Sequence, residues 1–514
     1  MFKTLSDKNK KIIIIFAIFI LSLILRLWNL NQMGRTWDEA AYVEVGNTFI
    51  KLIEKGDFLN KYFYQWLDEP PLARYVYGAF SFFDHNNGGK QNVFNYDYTS
   101  AHVASALISS FSVVIVVLLG FEFISTEIGI YSGVILSMLP LFVGYSQIST
   151  LESILFFTFT SSVYAFFRFL KKSTYINSGV VGVFIGLSIL SKFTNILVVP
   201  LLLLIFITRK IQTGKDVENK FKKGLIFLIS SISTFFILWP VAFFNPLKVI
   251  SFSVKLRSSL GKYPSIEVFF GKLIHVPIFY YFVFFLITTP LVILFLFFLG
   301  SKYISDYGRK ALNKENKWIY YSLVIWFCFP FIQSFYNFRQ QGIRFIIEIY
   351  APLALISAIG FDYLCHKLTK KIINKLLLLF ILILYLLIVL LRITPYYLDY
   401  FNAVVGGTKT VYEKGLFEIG WWGQGLREAG YYLRDHAAKG SSIGLAVSPI
   451  EVFPPLGGFK VSSYSDNKKY DYIVVNYFHV LREKFDDSYI KNHYKLIYTV
   501  KADGGVLVFV YKRI

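Results

Sequence analysis

The sequence predicts an α-helical polytopic membrane protein with about 11 transmembrane helices, amphipathic helices in its first external loop and a small C-terminal α/β domain, and three observations predict it. Of 514 residues, 55% are hydrophobic and 17% charged, where soluble domains carry roughly a quarter charged residues. Long apolar runs recur through residues 1–393. After 394 the pattern changes to short alternating segments at 442–448, 470–476 and 504–511, behind a helical stretch at about 423–437. A soluble globule of this size is excluded.

Runs of about 17 to 25 apolar residues can cross a bilayer as helices. They fall at 12–30, 101–123, 128–147, 150–170, 177–191, 193–208, 224–243, 277–299, 318–336, 345–365 and 372–392. The first follows Lys8, Lys10 and Lys11 and lacks a small-residue cleavage site, so it is expected to stay as an anchor. The stretch 177–208 divides at Ser191-Lys192-Phe193-Thr194-Asn195.

The net charge of +21 would suit nucleic acid if it gathered on a soluble domain. Instead, with the N-terminus cytoplasmic, the short cytoplasmic segments hold 22 Lys and Arg against 7 acids, as basic loops retained inside should. The 394–514 segment is only +3. The expected location is therefore the plasma membrane, multi-pass, with the loops 31–100 and 244–276 and the C-terminal domain outside, and with no nucleic-acid partner. Cys328 and Cys365 fall in or beside apolar runs and make neither a disulfide framework nor a Cys-based zinc site.

The first external loop opens on Arg35-Thr36-Trp37-Asp38-Glu39. Thr36 and Glu39 have capping-box spacing, and Tyr42, Val45, Phe49, Leu52 and Ile53 share one helical face. A carboxylate at such a helix start can also take a proton from an incoming hydroxyl. Some thirty residues on, Trp66-Leu67-Asp68-Glu69-Pro70-Pro71 precedes a second short helix that starts around Arg74, Tyr75 and Tyr77. Glu152 stands at the external end of a span, where a carboxylate is a functional candidate as well as an ordinary helix-start acid.

Three external cations run against the topology rule. Lys192 reads as a phosphate ligand or a snorkelling lysine; Arg339 and Arg344 call for a negative partner, a lipid phosphate or Glu348 one turn on. His85, His102 and His275 show no paired ligand spacing and read as solvated or interfacial. Trp37, Tyr62, Tyr64 and Trp66 read as interface anchors or as a sugar platform.

Six motifs, in order, resemble the C-type (GT-C) glycosyltransferases of the protein O-mannosyltransferase and aminoarabinose transferase superfamily. They are Asp38-Glu39-Ala40-x-Tyr42, Glu69-Pro-Pro-Leu72, Glu152-Ser153 at a helix start, Gly186-Leu-x-x-Leu-Ser-Lys192, Arg344-Phe-x-x-Glu-x-Tyr350-x-Pro352, and Tyr400-Phe-Asn402 with Gly406-Gly407 and Trp422-Gly-Gln-Gly-Leu426. Glu69 stands where relatives carry a basic residue, and Trp421 where they carry Asp. The resemblance implies the GT-C fold, a membrane-embedded enzyme, and inverting transfer of a sugar from a polyprenyl-phosphate donor to a protein, lipid or glycan hydroxyl at the outer face.

In that reading Asp38, Glu39 and Glu152 are the catalytic candidates, with Asp38 as general base. Asp68, Glu69, Arg74, Tyr75, Lys192, Arg339 and Arg344 are the candidates for substrate binding. No cofactor is singled out by the sequence, and a divalent metal stays open with Asp38 and Glu152 as candidate ligands. The competing expectations are a polytopic transporter or flippase for a lipid-linked glycan, whose charges would line a midplane pathway, and a glycan polymerase or ligase of similar topology.

Overall fold

A computed structural model describes residues 7–84, 96–261, 266–310, 314–335, 341–447, 450–482 and 485–514. Of the sequence candidates, His85 and Arg339 lie outside the described residues.

The chain starts with the apolar helix α1 (Asp7–Leu27). The first loop then folds into two surface helices, α2 (Glu39–Glu54) and α3 (Leu72–Phe80). Tyr42, Val45 and Phe49 of α2 turn inward, as their spacing predicts, with Leu52 and Ile53 half-buried beside them. The two helices meet backbone to backbone, because Gly46 and Gly78 face each other: a Cβ on Gly78 would lie 2.1 Å from the Gly46 carbonyl carbon. A packed interface cannot absorb such an atom without shifting, at a typical cost of about 1–3 kcal/mol. Gly78→Ala is therefore expected to push α3 off α2 and lower the thermal inactivation midpoint in detergent; an unchanged midpoint would show that the contact is loose.

The bundle follows as α4 (Thr99–Phe123), α5 (Thr126–Ser137), α6 (Pro140–Ser146), α7 (Leu151–Lys171), α8 (Tyr175–Ser191), α9 (Val198–Thr213), α10 (Lys220–Leu238) and α11 (Pro240–Phe244). The 244–276 loop, without a sequence motif, forms α12 (Pro246–Gly261) and a hairpin of β1 (Ile266–Phe269) with β2 (Lys272–His275). Then come α13 (Tyr280–Thr288), α14 (Leu291–Lys310), α15 (Lys314–Cys328), a 3-10 stretch at Arg344–Ile349, α16 (Tyr350–Leu368) and α17 (Ile372–Ile393).

Among the described residues, seven helices are long and apolar enough to cross a bilayer, or nine with each bent pair taken as one. This is a multi-pass membrane protein. The positions read at 12–30 and 177–191 hold α1 and the 17-residue α8. Two expected straight spans are broken. The 128–147 run is α5 and α6 bent by 68°, and the 277–299 run is α13 and α14 bent by 117°. Pro140 and Pro290 stand at these breaks; proline has no N–H to continue the ladder and pushes the preceding residue out of the helical region. The Arg344–Leu368 segment is central, with 89% of its apolar window buried, whereas α10 has 6% buried and faces outward against α8.

The C-terminal region carries α18 (Gly407–Glu413), α19 (Leu426–His436), β3 (Ser442–Ala446), β4 (Lys460–Ser463), β5 (Tyr472–Asn476), α20 (Tyr477–Arg482), α21 (Ser488–His493), β6 (Tyr494–Ala502) and β7 (Gly505–Arg513). The sheet runs β4-β3-β5-β7-β6, with β3 parallel to both neighbours and β7 antiparallel to β5 and β6. The helix expected from 423 begins at Leu426, because Gly423 and Gly425 take φ of +97° and +87° and make a turn.

Candidate functional site

Asp38 caps α2 at its N-terminus without bonding the helix through its side chain, which stays 42% exposed. Its Oδ2 accepts a hydrogen bond from Arg344 Nη2 at 2.9 Å. The Arg344 Nε donates to Glu152 Oε1 at 2.5 Å and its Nη1 to Gln341 Oε1 at 3.0 Å. The Trp422 ring lies 4.1 Å from the guanidinium carbon. One almost buried guanidinium thus joins the exposed acid to the fully buried Glu152 at the start of α7. Thr150 Oγ1 holds the other Glu152 oxygen at 2.5 Å. A buried carboxylate needs such partners, since desolvation opposes its charge.

Lys192 ends α8 in an extended conformation. It is buried, not snorkelling, with Nζ 4.2 Å from the Phe345 ring centre and Glu152, Glu69 and Glu348 all near enough to act on its charge. Glu69 Oε2 accepts from the Phe193 N–H at 3.4 Å, which brings the second acidic pair to this turn. Asp38, Glu69, Glu152, Lys192 and Arg344, distant in sequence, therefore meet at one end of the bundle.

Other sequence candidates brace this centre. Arg74 is fully buried and donates to the carbonyls of Ala41, Trp66 and Glu69 at 3.1, 2.8 and 3.0 Å, and to Asp68 Oδ1 at 2.8 Å. These bonds tie residues 66–69 to α2, where the sequence suggests substrate contacts for Asp68 and Arg74. Tyr75 packs its ring 6.2 Å from Phe49.

Glu39, grouped in the sequence with the catalytic acids, is enclosed. Its carboxylate accepts from the Thr36 N–H at 2.6 Å, from the Ser149 N–H and hydroxyl at 2.8 Å each, and pairs with His102. His102 and these donors outweigh burial and hold its pKa at about 2. Half of the capping box is therefore formed, the Thr36 hydroxyl having no partner among the described residues. His102 itself is buried between Asn31 and Glu39, not solvated, so Glu39 positions the start of α2 and with it Asp38.

Of the aromatic set, the Trp66 ring faces the Arg74 guanidinium and the Tyr64 ring lies beneath Lys248, while Tyr62 and Trp37 meet Phe49 and Phe478 edge to face. The charged centre is instead flanked by Phe345 and by Trp422, the latter stacked on Trp421 at 4.5 Å. Gln341 carries no chemical signature in the sequence beyond its nearness to Arg344; Phe345 and Trp422 stand inside the Arg-Phe and Trp-Gly-Gln motifs, where nothing marks them as partners of Arg344.

Asp38 and Glu152 do not fit a metal in this arrangement, because the Arg344 guanidinium occupies the place between them. Among the described residues no three His, Cys, Asp or Glu side chains converge on a point.

The Trp421-Trp422 turn is fixed by Asp399, whose Oδ1 accepts from the Gly420 N–H at 2.7 Å while Oδ2 is buried without a partner among the described residues. Burial pushes the Asp399 pKa up to about 7. Because the folded value lies above the ordinary carboxylate range, the contribution to stability is complete at acid pH and is lost as pH rises from about 4 toward 7. Asp399→Asn is expected to gain in thermal midpoint relative to the parent protein over that window, as followed by calorimetry. Parallel curves would remove Asp399 as the cause.

Comparison with known proteins fits this geometry. Residues 89–243 match the family described as dolichyl-phosphate-mannose-protein mannosyltransferase. The chain superimposes over 98% of its length on 98% of ArnT from Cupriavidus metallidurans bound to undecaprenyl phosphate, at 11% identity and a TM-score of 0.53. It also superimposes over 99% of its length on 74% of the Archaeoglobus fulgidus oligosaccharyltransferase tethered with an acceptor peptide, at 12% identity and a TM-score of 0.50. No curated protein matches the chain significantly in sequence. The chain has the fold of the GT-C glycosyltransferases, and the family match and the fold together support a glycosyltransferase.

Proposed function

We propose that this protein transfers a sugar from a polyprenyl-phosphate donor to a hydroxyl acceptor at the outer face of the membrane, with inversion and with Asp38 as general base. The observation that carries the proposal is the half-exposed Asp38 carboxylate held through Arg344 to buried Glu152. Arg344 takes Oδ2, and Oδ1 accepts the proton from the acceptor hydroxyl. The hydroxyl oxygen attacks the anomeric carbon from the side opposite the phosphate, the carbon–oxygen bond to phosphate breaks, and its electron pair leaves with the phosphate. Lys192 and Arg344 are the cations that stabilise the departing charge.

The donor's apolar chain has a surface to lie on. Phe58, Phe236, Ile237, Phe243 and Phe244 line an apolar groove. It adjoins Trp239, whose ring lies 5.7 Å from that of Phe193, the residue after Lys192.

The decisive experiment offers the purified protein a panel of polyprenyl-phosphate sugars with native membranes and identifies products by mass spectrometry. A sugar–acceptor product with release of polyprenyl phosphate is expected, and its composition names the donor and the acceptor class. Movement of a lipid-linked sugar across vesicles without any transfer product overturns the proposal in favour of a transporter.

A further inference from the structure

A second cavity lies at the far end of the bundle from Arg344. It has a volume of about 570 Å³ and is lined by Tyr303, Tyr320, Asp362, Tyr363, His366 and Lys367, with Ile124, Ser125 and Ile128 on its apolar side. Arg344 lies in the 3-10 stretch that leads into α16, and Asp362 stands 12 positions along α16 from Tyr350, roughly 18 Å at helical rise. The cavity therefore sits where the Arg344–Leu368 span ends, at the depth of lipid headgroups.

Its chemistry is divided in two. Inside, the Asp362 Oδ1 is buried and accepts no hydrogen bond among the described residues. His366 Nδ1 passes it at 3.4 Å but bonds the Asp362 carbonyl at 2.9 Å. Tyr303 and Tyr363, with ring centres 5.1 Å apart, stand beside it. The Asp362 side chain as a whole stays 26% exposed toward the cavity, and a carboxylate among aromatic faces is a site for an ammonium group, which pairs with its accessible oxygen and is attracted by the rings. At the rim, exposed Lys367 and the pair of His366 with Lys375, 2.9 Å apart, gather cationic groups from α16 and α17. Such groups suit a phosphate.

We infer that this cavity binds the headgroup of an aminophospholipid, with the ammonium at Asp362 between the tyrosines and the phosphate at Lys367 and Lys375. A headgroup of phosphate and hydroxyls alone brings no cation to Asp362 and gains neither the charge pairing nor the attraction of the rings. The site is separate from the sugar-transfer centre and does not depend on that reading.

The test is retention of lipid by the full chain purified in detergent. The protein is incubated with equal amounts of phosphatidylethanolamine and phosphatidylglycerol of the same acyl chains and examined by native mass spectrometry. About tenfold more phosphatidylethanolamine should be retained, the scale of one charge-assisted hydrogen bond. Asp362→Asn should bring the ratio close to unity, whereas Lys367→Gln, on the exposed rim, should reduce both lipids alike. If Asp362→Asn does not fold, Tyr363→Leu carries the same test and should lower the ratio several-fold. Equal retention by the parent protein, or an undiminished preference in a folded Asp362→Asn or Tyr363→Leu variant, overturns the inference.

Discussion

Asp38→Asn is expected to abolish measurable sugar transfer while leaving a folded, donor-binding protein. The side chain is 42% exposed and makes no cap bond to its own helix, so amidation costs the fold little. It does remove the charge and basicity that take the acceptor proton, and general-base removal typically slows a reaction by about 10²–10⁴-fold. The loss should fall on kcat, with the donor KM close to its parent value, in a mass-spectrometric turnover assay. Transfer at the parent rate removes Asp38 as the base.

Arg344 carries the second large effect, and its consequence is double. Arg344→Ala strips Glu152, which is wholly buried, of its cation; breaking a buried pair from one side typically costs about 3–5 kcal/mol. Donor affinity should fall with it, since the guanidinium is one of two cations at the proposed phosphate position. Arg344→Lys should rescue little, because one ammonium cannot span Asp38 and Glu152 while stacking on Trp422 as the planar guanidinium does. Pairing Arg344→Gln with Glu152→Gln separates the two roles: the double variant should recover most of the thermal stability and none of the transfer. Recovery of transfer as well would reduce Arg344 to a structural post.

The amphipathic α2, the division at Lys192 and the helix-then-strands pattern after 394 were legible because each leaves a local mark: a 3.6-residue stripe, a polar interruption, an alternation. Glu152 stood out because a carboxylate at the end of an apolar span is costly, Lys192 and Arg344 because external cations run against the topology rule, and Asp38 through its place at the first turn of the loop and the family resemblance of the residues around it. What sequence spacing did not reveal was direction. Arg74 has the chemistry of a phosphate ligand, yet three backbone carbonyls and Asp68 surround it, and only the fold brings those carbonyls together. Glu39 and His102, 63 positions apart, likewise became a pair only through the approach of α2 to α4. The bends at Pro140 and Pro290 could have been suspected from the prolines; their angles depend on tertiary packing.

The Trp421-Trp422 corner makes the C-terminal sheet region something other than an exchangeable module. Gly423 takes φ of +97°, and a side chain there would strike Val452, beside the Arg35 carbonyl and the Trp37 indole. Tyr96 donates to the Val452 carbonyl from the first-loop side, and the Trp422 face covers Arg344. Cutting the chain after α17, or grafting a foreign C-terminal region there, uncovers the guanidinium that links Asp38 to Glu152. Chimeras exchanging acceptor preference between proteins of this fold should therefore carry the tryptophan corner with the membrane half and place the junction after Leu426.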